Sequence, residues 1–318
     1  MKIAVLLMAV NAQPSLRNVE AFKDTVVRYC NSKERKNEYH FYIYWSDKEI
    51  ESDVMSEYDS IDNVTNIVVN EDEGVYRTFE KTYRTFKFIQ DVEYDLYVRV
   101  NISMYLNIDL LDAVADKLKK DVVYCNAINS HVNGSSEYLN DLYPRGDLMI
   151  FGRDVFNGII AHGAEFMYSD MNFRKRDGID HVDDCLIGAS LIKYFGNDYY
   201  KHLEMLRYNF VPGYEIDMRT FDSMAIGNRV KTVPQGLNSG YSWDDNDYRL
   251  KDVEKFHKLY DIYNEIDKKY KGCRYKGIIL SDIVVENKNA RPTVLVILEN
   301  YSVKDVFWKV LENKRRSQ

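Results

Sequence analysis

Over its first 125 residues the chain alternates short β-branched or aromatic runs with stretches of helical apolar spacing, and this constrains the fold most. Residues 2–8 are continuously apolar after Lys2, as a parallel strand buried on both faces must be. Pro14-Ser15 then opens a helix with Leu16, Val19, Phe22, Val26 and Cys30 on one side. Residues 39–45, 64–69, 95–100 and 121–125 read as further strands, with helices over residues 75–89 and after Asp109, a candidate N-cap. Such repetition predicts an α/β fold, a mixed, mostly parallel sheet with helices on both sides.

Beyond residue 125 the pattern loosens. Residues 143–151 read as a turn and strand, 185–195 as a helix, 207–233 as mixed strand and loop, and 252–270 as a helix. In that last helix Val253, Phe256, Tyr260, Tyr263 and Ile266 face inward, and residues 277–285 and 293–298 are strand-like. The polar stretch 235–247 suggests a division into a main domain, 1–245, and a C-terminal helical and strand appendage, 246–318.

Composition excludes several classes. With 45% apolar and 29% charged residues, the 318-residue chain can bury a sizeable core. A net charge of −7 gives no electrostatic reason to expect nucleic acid. The 26 tyrosines are spread along the chain, so they read as half-buried surface before they read as sugar-stacking platforms. Cys30, Cys125, Cys185 and Cys273 lie far apart, which suggests a reduced, cytoplasmic setting. The apolar start reads as a strand rather than a signal peptide, and no apolar run approaches the ~18 residues that span a bilayer. The scattered histidines (His131, His162, His181, His202, His257) suggest no metal site, and no P-loop, G-x-G-x-x-G or G-x-S-x-G motif appears. Oligomeric state is not legible.

Three segments carry the chemical signal. The first runs from Tyr94 to Asn107 and contains Arg99, Asn101, Ile102 and Ser103; the second is Tyr143-Pro144-Arg145-Gly146-Asp147, leading into an apolar strand; the third is His181-Val182-Asp183-Asp184-Cys185-Leu186-Ile187-Gly188. In their order and spacing they resemble the inverting β-1,3-glycosyltransferases that include the fringe enzymes. There a strand ends in an acidic run, a Tyr-Pro-x-Gly turn precedes a strand, and an acidic pair followed by x-x-x-Gly opens a helix. The resemblance covers roughly residues 3–195. It implies a Rossmann-like fold of the GT-A type, a nucleotide-sugar donor (UDP-linked by default) and a glycan acceptor.

By that resemblance Asp184 is the general base that takes the acceptor's proton, with Asp183 a supporting or substrate-binding residue. Tyr143, Arg145, Gly146 and Asp147 shape the acceptor side. The nucleotide is expected at the carboxyl ends of the first strands, near Val10, Asn11, Ala12, Asn101 and Ser103. The residues themselves allow plainer readings: Asp183 or Asp184 as a helix cap, and the Tyr-Pro-Arg-Gly segment as a tight turn in which Gly146 supplies positive φ. At a helix start, the dipole would favour an ionised Asp184.

One departure from the family is informative. Its metal-binding acidic run is replaced here by Asn101-Ile102-Ser103, whose neutral oxygens argue against a firmly held Mg²⁺ or Mn²⁺. A cation must then stabilise the leaving diphosphate. Arg99, on the strand face of Asn101, is one candidate. Arg77, Lys81 and Arg84, on one face of a helix, form either a second source or a solvated stripe pairing with Glu71-Asp72-Glu73. The alternative to an inverting, metal-independent transferase is a catalytically inactive scaffold that binds carbohydrate or nucleotide.

Overall fold

The computed structural model describes residues 1–11, 13–72, 77–126, 128–130, 142–167, 182–211, 215–232, 246–271 and 273–285. The strands are β1 (Lys2–Met8), β2 (Glu38–Ser46), β3 (Val54–Tyr58), β4 (Val64–Val69), β5 (Leu96–Asn101), β6 (Met104–Leu106), β7 (Val123–Cys125), β8 (Ile128–Ser130), β9 (Leu142–Pro144), β10 (Leu148–Gly152), β11 (Leu203–Met205), β12 (Tyr208–Phe210) and β13 (Gly227–Arg229). The α-helices are α1 (Gln13–Phe22), α2 (Arg28–Asn31), α3 (Thr78–Ile89), α4 (Ile108–Val114), α5 (Arg153–Gly163), α6 (Val182–Phe195) and α7 (Asn246–Tyr270). A π-helical segment, Lys23–Val27, continues α1 into α2.

Eight strands form the main sheet in the order β11-β7-β10-β5-β1-β2-β4-β3. All run parallel to β1 except β3 and β10, so the fold is α/β with a mixed, mostly parallel sheet. Alternation along β1 divides the core into two layers. Ile3, Val5 and Leu7 pack with residues of α1, α4 and α7, such as Phe22, Leu111 and Phe256. Ala4, Leu6 and Met8 pack with α3, α5 and α6 through Phe86, Phe156 and Ile187. Strand β1 is therefore dry on both faces, which is why its sequence is continuously apolar.

The chain lays β2 and β4 on one side of β1 and then crosses to place β5 on the other, so the strand order reverses between β1 and β5. In open α/β sheets the crevice outside the carboxyl ends of such strands is the ligand site. Here it is bounded by the residues after Met8 and by Asn101. Beside it a small sheet, β12-β13-β6, is joined to the loop after β5 by the Val230 N–H, which donates to the Ser103 carbonyl at 2.9 Å.

Several expectations need revision. Asp109 does not cap α4; the Asn107 side chain accepts the Leu110 N–H at 3.2 Å, leaving Asp109 to accept from the Tyr29 hydroxyl at 2.6 Å. Residues 277–285 hold a short 3-10 helix (Leu280–Asp282), started where the Asp282 carboxylate accepts the Ile279 N–H, and one isolated bridge, Leu206 to Val284. Within the described part of residues 246–318, Phe256, Leu259, Tyr263 and Ile283 are buried in the α1–α4 layer. Residues 233–245, where the boundary was expected, and the strand-like run 293–298 lie outside the described residues. Among the described residues no helix is long and apolar enough to cross a membrane. All four cysteines are free thiols, three of them buried.

Candidate functional site

Side chains of alternate parity on β5 enter different layers. Val98 and Val100 join the α1 layer, so Arg99 enters the α3–α5–α6 layer and is only 1% exposed. A guanidinium placed there requires a partner. It finds Asp183, at the start of α6, in an ion pair through Nη2, which also lies 3.2 Å from the Met8 sulfur. Its Nε and Nη1 have no hydrogen-bond partner among the described residues.

Asp184 is 4% exposed and close to the same guanidinium. Burial pushes its carboxyl well above the usual range, reinforced by the Asp183 charge and opposed by Arg99 and the Gly146 N–H. The helix start alone argues for an easily ionised Asp184; desolvation outweighs the dipole. Asp184 is thus a carboxyl with raised proton affinity at the head of a helix, one residue from a carboxylate already matched to a cation.

The turn between β9 and β10 closes over this pair. A Cβ on Gly146 would stand 1.7 Å from Asp184 Oδ1 and 2.6 Å from Arg99 Nη1, so only glycine lets the backbone approach and donate its N–H. The expected reason for glycine, a positive φ, does not apply here: among the described residues only Gly196 and Gly277 are glycines of that kind. The contact is reciprocated from α6, where a Cβ on Gly188 would stand 2.6 Å from the Cβ of the buried Tyr143. The second and third sequence motifs therefore interlock through their glycines, and the first supplies the cation between them.

On the other side of the same turn, Asp147 is tied to the end of β5 by its carbonyl, which accepts the Asn101 N–H at 3.0 Å. Its carboxylate receives Arg145 Nε at 2.7 Å, Arg229 Nη1 at 3.3 Å and the Asn126 amide at 3.3 Å. Asn101 Oδ1 accepts both the Ser103 N–H and the Ser103 hydroxyl at 3.1 Å. Behind them Lys255 of α7 donates to the carbonyls of Val211 and Val230 at 2.7 and 2.8 Å, and burial lowers its pKa to about 8.

The nucleotide-side residues are placed in part. Val10 and the exposed Asn11 follow β1 at the crevice; Ala12 lies outside the described residues, as does His181. Lys81 is not part of a solvated stripe: it is 1% exposed and donates to the Ala9 carbonyl at 2.9 Å. Arg77 lies 3.8 Å from Glu71, and Arg84 lies 3.4 Å from Asp53. Sequence reasoning missed Arg229. It stands 126 residues after Ser103 along the chain (229 − 103), in a run without motif character, and only the pairing of β13 with β6 brings it to this corner.

A cavity of about 770 Å³ opens at the opposite, amino-terminal edge of the sheet, lined by residues including Lys2, Arg35, Lys36 and Asp95. Arg35 and Lys36 are already paired with Asp109 and Asp116, and of the three motifs only the first two residues of the first, Tyr94 and Asp95, reach it. Asn101, Gly146, Asp183 and Asp184 lie instead at the carboxyl edge of the sheet, around the end of β5.

Among the described residues, those at that edge do not form a ligand set for a divalent cation. Asn101 Oδ1 is committed to Ser103, and the Asp147 carboxylate is committed to two guanidiniums and an amide. Hard anionic oxygens that such an ion needs are therefore engaged, with like charge beside them. Among the described residues no group of three His, Cys, Asp or Glu could hold a metal.

No family model matches the chain, and no curated protein matches it. Solved structures similar to it include a glycosyltransferase involved in glycosylation of the major capsid of PBCV-1, at 9% identity and a TM-score of 0.42, covering 81% of this chain and 100% of that one. Another is the galactosyltransferase LgtC in complex with donor and acceptor sugar analogs, at 11% identity and a TM-score of 0.40, covering 86% and 99%. At these scores the likeness assigns no residue and no activity to this chain.

Proposed function

We propose that the chain is an inverting, metal-independent glycosyltransferase of the GT-A type that moves a sugar from a nucleotide-sugar donor, UDP-linked by resemblance, to a glycan hydroxyl. One observation carries this reading: three motifs separated in sequence meet at the switch point of the sheet, around a buried carboxyl of raised proton affinity. In the reaction the acceptor oxygen bonds to the anomeric carbon as its proton passes to Asp184. The bond from that carbon to the diphosphate oxygen breaks, and its electron pair leaves with the diphosphate. A base whose pKa lies above the ordinary carboxylate value is better matched to that proton than a freely ionised aspartate. Arg99 acts as a positioning residue: by balancing Asp183, it leaves Asp184 as the member of the pair that exchanges a proton. Val10, Asn11, Ala12, Asn101 and Ser103 are assigned to the nucleotide side, and Tyr143, Gly146 and Asp147 to the acceptor side.

A second reading, an inactive binding scaffold, draws on the low exposure of Asp184. The two separate in one experiment. Release of nucleoside diphosphate is measured from a panel of nucleotide sugars in EDTA, with and without glycan acceptors, and nucleotide binding is followed by calorimetry. The transferase reading expects turnover with one donor, reduced about 10²- to 10⁴-fold by Asp184→Asn with nucleotide binding retained. Binding without turnover on any donor would establish the scaffold. Full turnover by Asp184→Asn would remove Asp184 as the base.

A further inference from the structure

The residues gathered at the end of β5 have a chemistry of their own. Arg145 and Arg229 converge on one carboxylate from two directions, one from the β9–β10 turn and one from β13, and are 8% and 6% exposed. Asp147 is in turn bonded through its backbone to Asn101, so both guanidiniums are fixed relative to the residues that replace the acidic run. Arg145 places its Nε 2.7 Å from the Asp147 carboxylate, and a guanidinium's planar fork matches the geometry of phosphate oxygens. Arg229 is held further by its guanidinium carbon, 5.4 Å from the centre of the Phe210 ring. Arg99, the cation expected from sequence to meet the diphosphate, is turned instead into the layer beneath and matched to Asp183. The two sets of charges are therefore divided between two jobs.

We propose that the corner formed by Asn101, Ser103, Arg145 and Arg229 seats the donor's diphosphate directly on guanidinium groups, with no divalent cation between them. The inference rests on the reading of the chain as a nucleotide-sugar transferase and names the residues that carry its leaving group. As the bond to the anomeric carbon breaks, the electron pair stays on the diphosphate, and the added charge develops beside two donors that are already in place. Preorganised cations of this kind stabilise a leaving group without rearranging during the reaction. It also moves Arg145 from the acceptor side, where sequence placed it, to the donor side.

The test is calorimetric titration of the full chain with inorganic pyrophosphate and with UDP, each in EDTA and in Mn²⁺. The variants are Arg145→Gln and Arg229→Gln, with Arg145→Lys and Arg229→Lys as charge-preserving versions should a Gln variant fail to fold. Lys36→Gln, at the other edge of the sheet, is the control. The expected result is binding in EDTA that Mn²⁺ does not improve, weakened roughly 10- to 100-fold in each Gln variant, as loss of a charge-assisted hydrogen bond entails. The Lys variants should fall between, because they keep the charge and lose the fork. Binding that requires Mn²⁺, or binding in EDTA that none of the four variants weakens, overturns the proposal while leaving the transferase reading intact. Failure of both probes under every condition, with no donor turned over, overturns both.

Discussion

Two charged clusters face each other across the β9–β10 turn, built from the same residue types with opposite balances. In one, a single guanidinium (Arg99) serves two carboxyl groups, Asp183 and Asp184. In the other, among the described residues, two guanidiniums (Arg145 and Arg229) converge on one carboxylate, Asp147. Gly146 is the wall between them, too narrow to bear a side chain. The first cluster raises the proton affinity of its second carboxyl; the second gathers two cations on one carboxylate. Which partners a group meets, more than how many charges the chain carries, decides the electrostatic character of a buried cluster.

The largest expected effect comes from breaking the proton-handling cluster. Arg99→Met leaves Asp183 buried beside a second carboxyl without its cation, and such losses cost about 3–5 kcal/mol. Urea unfolding at neutral pH measures it. A cost below about 1 kcal/mol would mean that water reaches Asp183 and that the cluster is not dry. Breaking the wall comes next. Gly146→Ala forces a methyl into the space of Asp184 and Arg99, so a destabilisation of about 1–3 kcal/mol is expected, together with loss of any turnover that depends on Asp184. Unchanged stability and turnover would show that the turn can move away from α6.

The smallest effect sharpens the comparison most, because the two sides should respond to pH in opposite senses. Asp184 has a folded pKa above its ordinary value of 3.8, so the native state keeps a proton that the unfolded chain has lost. Its contribution to stability is full at acid pH and declines as pH rises from about 4 towards the folded pKa. Lys255, behind the cationic corner, has a folded pKa of about 8, below its ordinary 10.5. The native state gives up that proton more readily, so this contribution grows as pH rises from about 8 to about 10.5. Stability profiles of Asp184→Asn and Lys255→Met, each compared with the parent, should flatten the acid-side decline and the alkaline rise respectively. If either variant leaves its own slope unchanged, that group is not titrating as its surroundings require.

Much of the fold was legible from periodicity. Strand β4 falls on the residues that apolar and β-branched patterning marked, and α7 turns Phe256 and Tyr263 inward as their spacing requires. Strand β3 escaped notice because it is an edge strand whose Ser56, Glu57 and Tyr58 face solvent, so it carries no burial signature. Asn107 was passed over for Asp109 because either residue can cap a helix, and only the Tyr29 hydroxyl and the Arg35 guanidinium settle where Asp109 is used.

For the candidate site the same division holds. In the sequence, the resemblance to the β-1,3-glycosyltransferases grouped the Asn101, Tyr143–Gly146 and Asp183–Asp184 segments and implied an acidic run where neutral oxygens stand. The tertiary structure decided that Gly146 is needed for close approach, that Arg99 belongs to Asp183, and that Arg229 joins Arg145 on Asp147. Backbone periodicity is local and repeats every few residues, so it is written along the chain. Charge balance depends on groups 84 residues apart, as Arg99 and Asp183 are, and on how much water remains between them. Desolvation is a property of the packed molecule, and no residue carries it in its own identity.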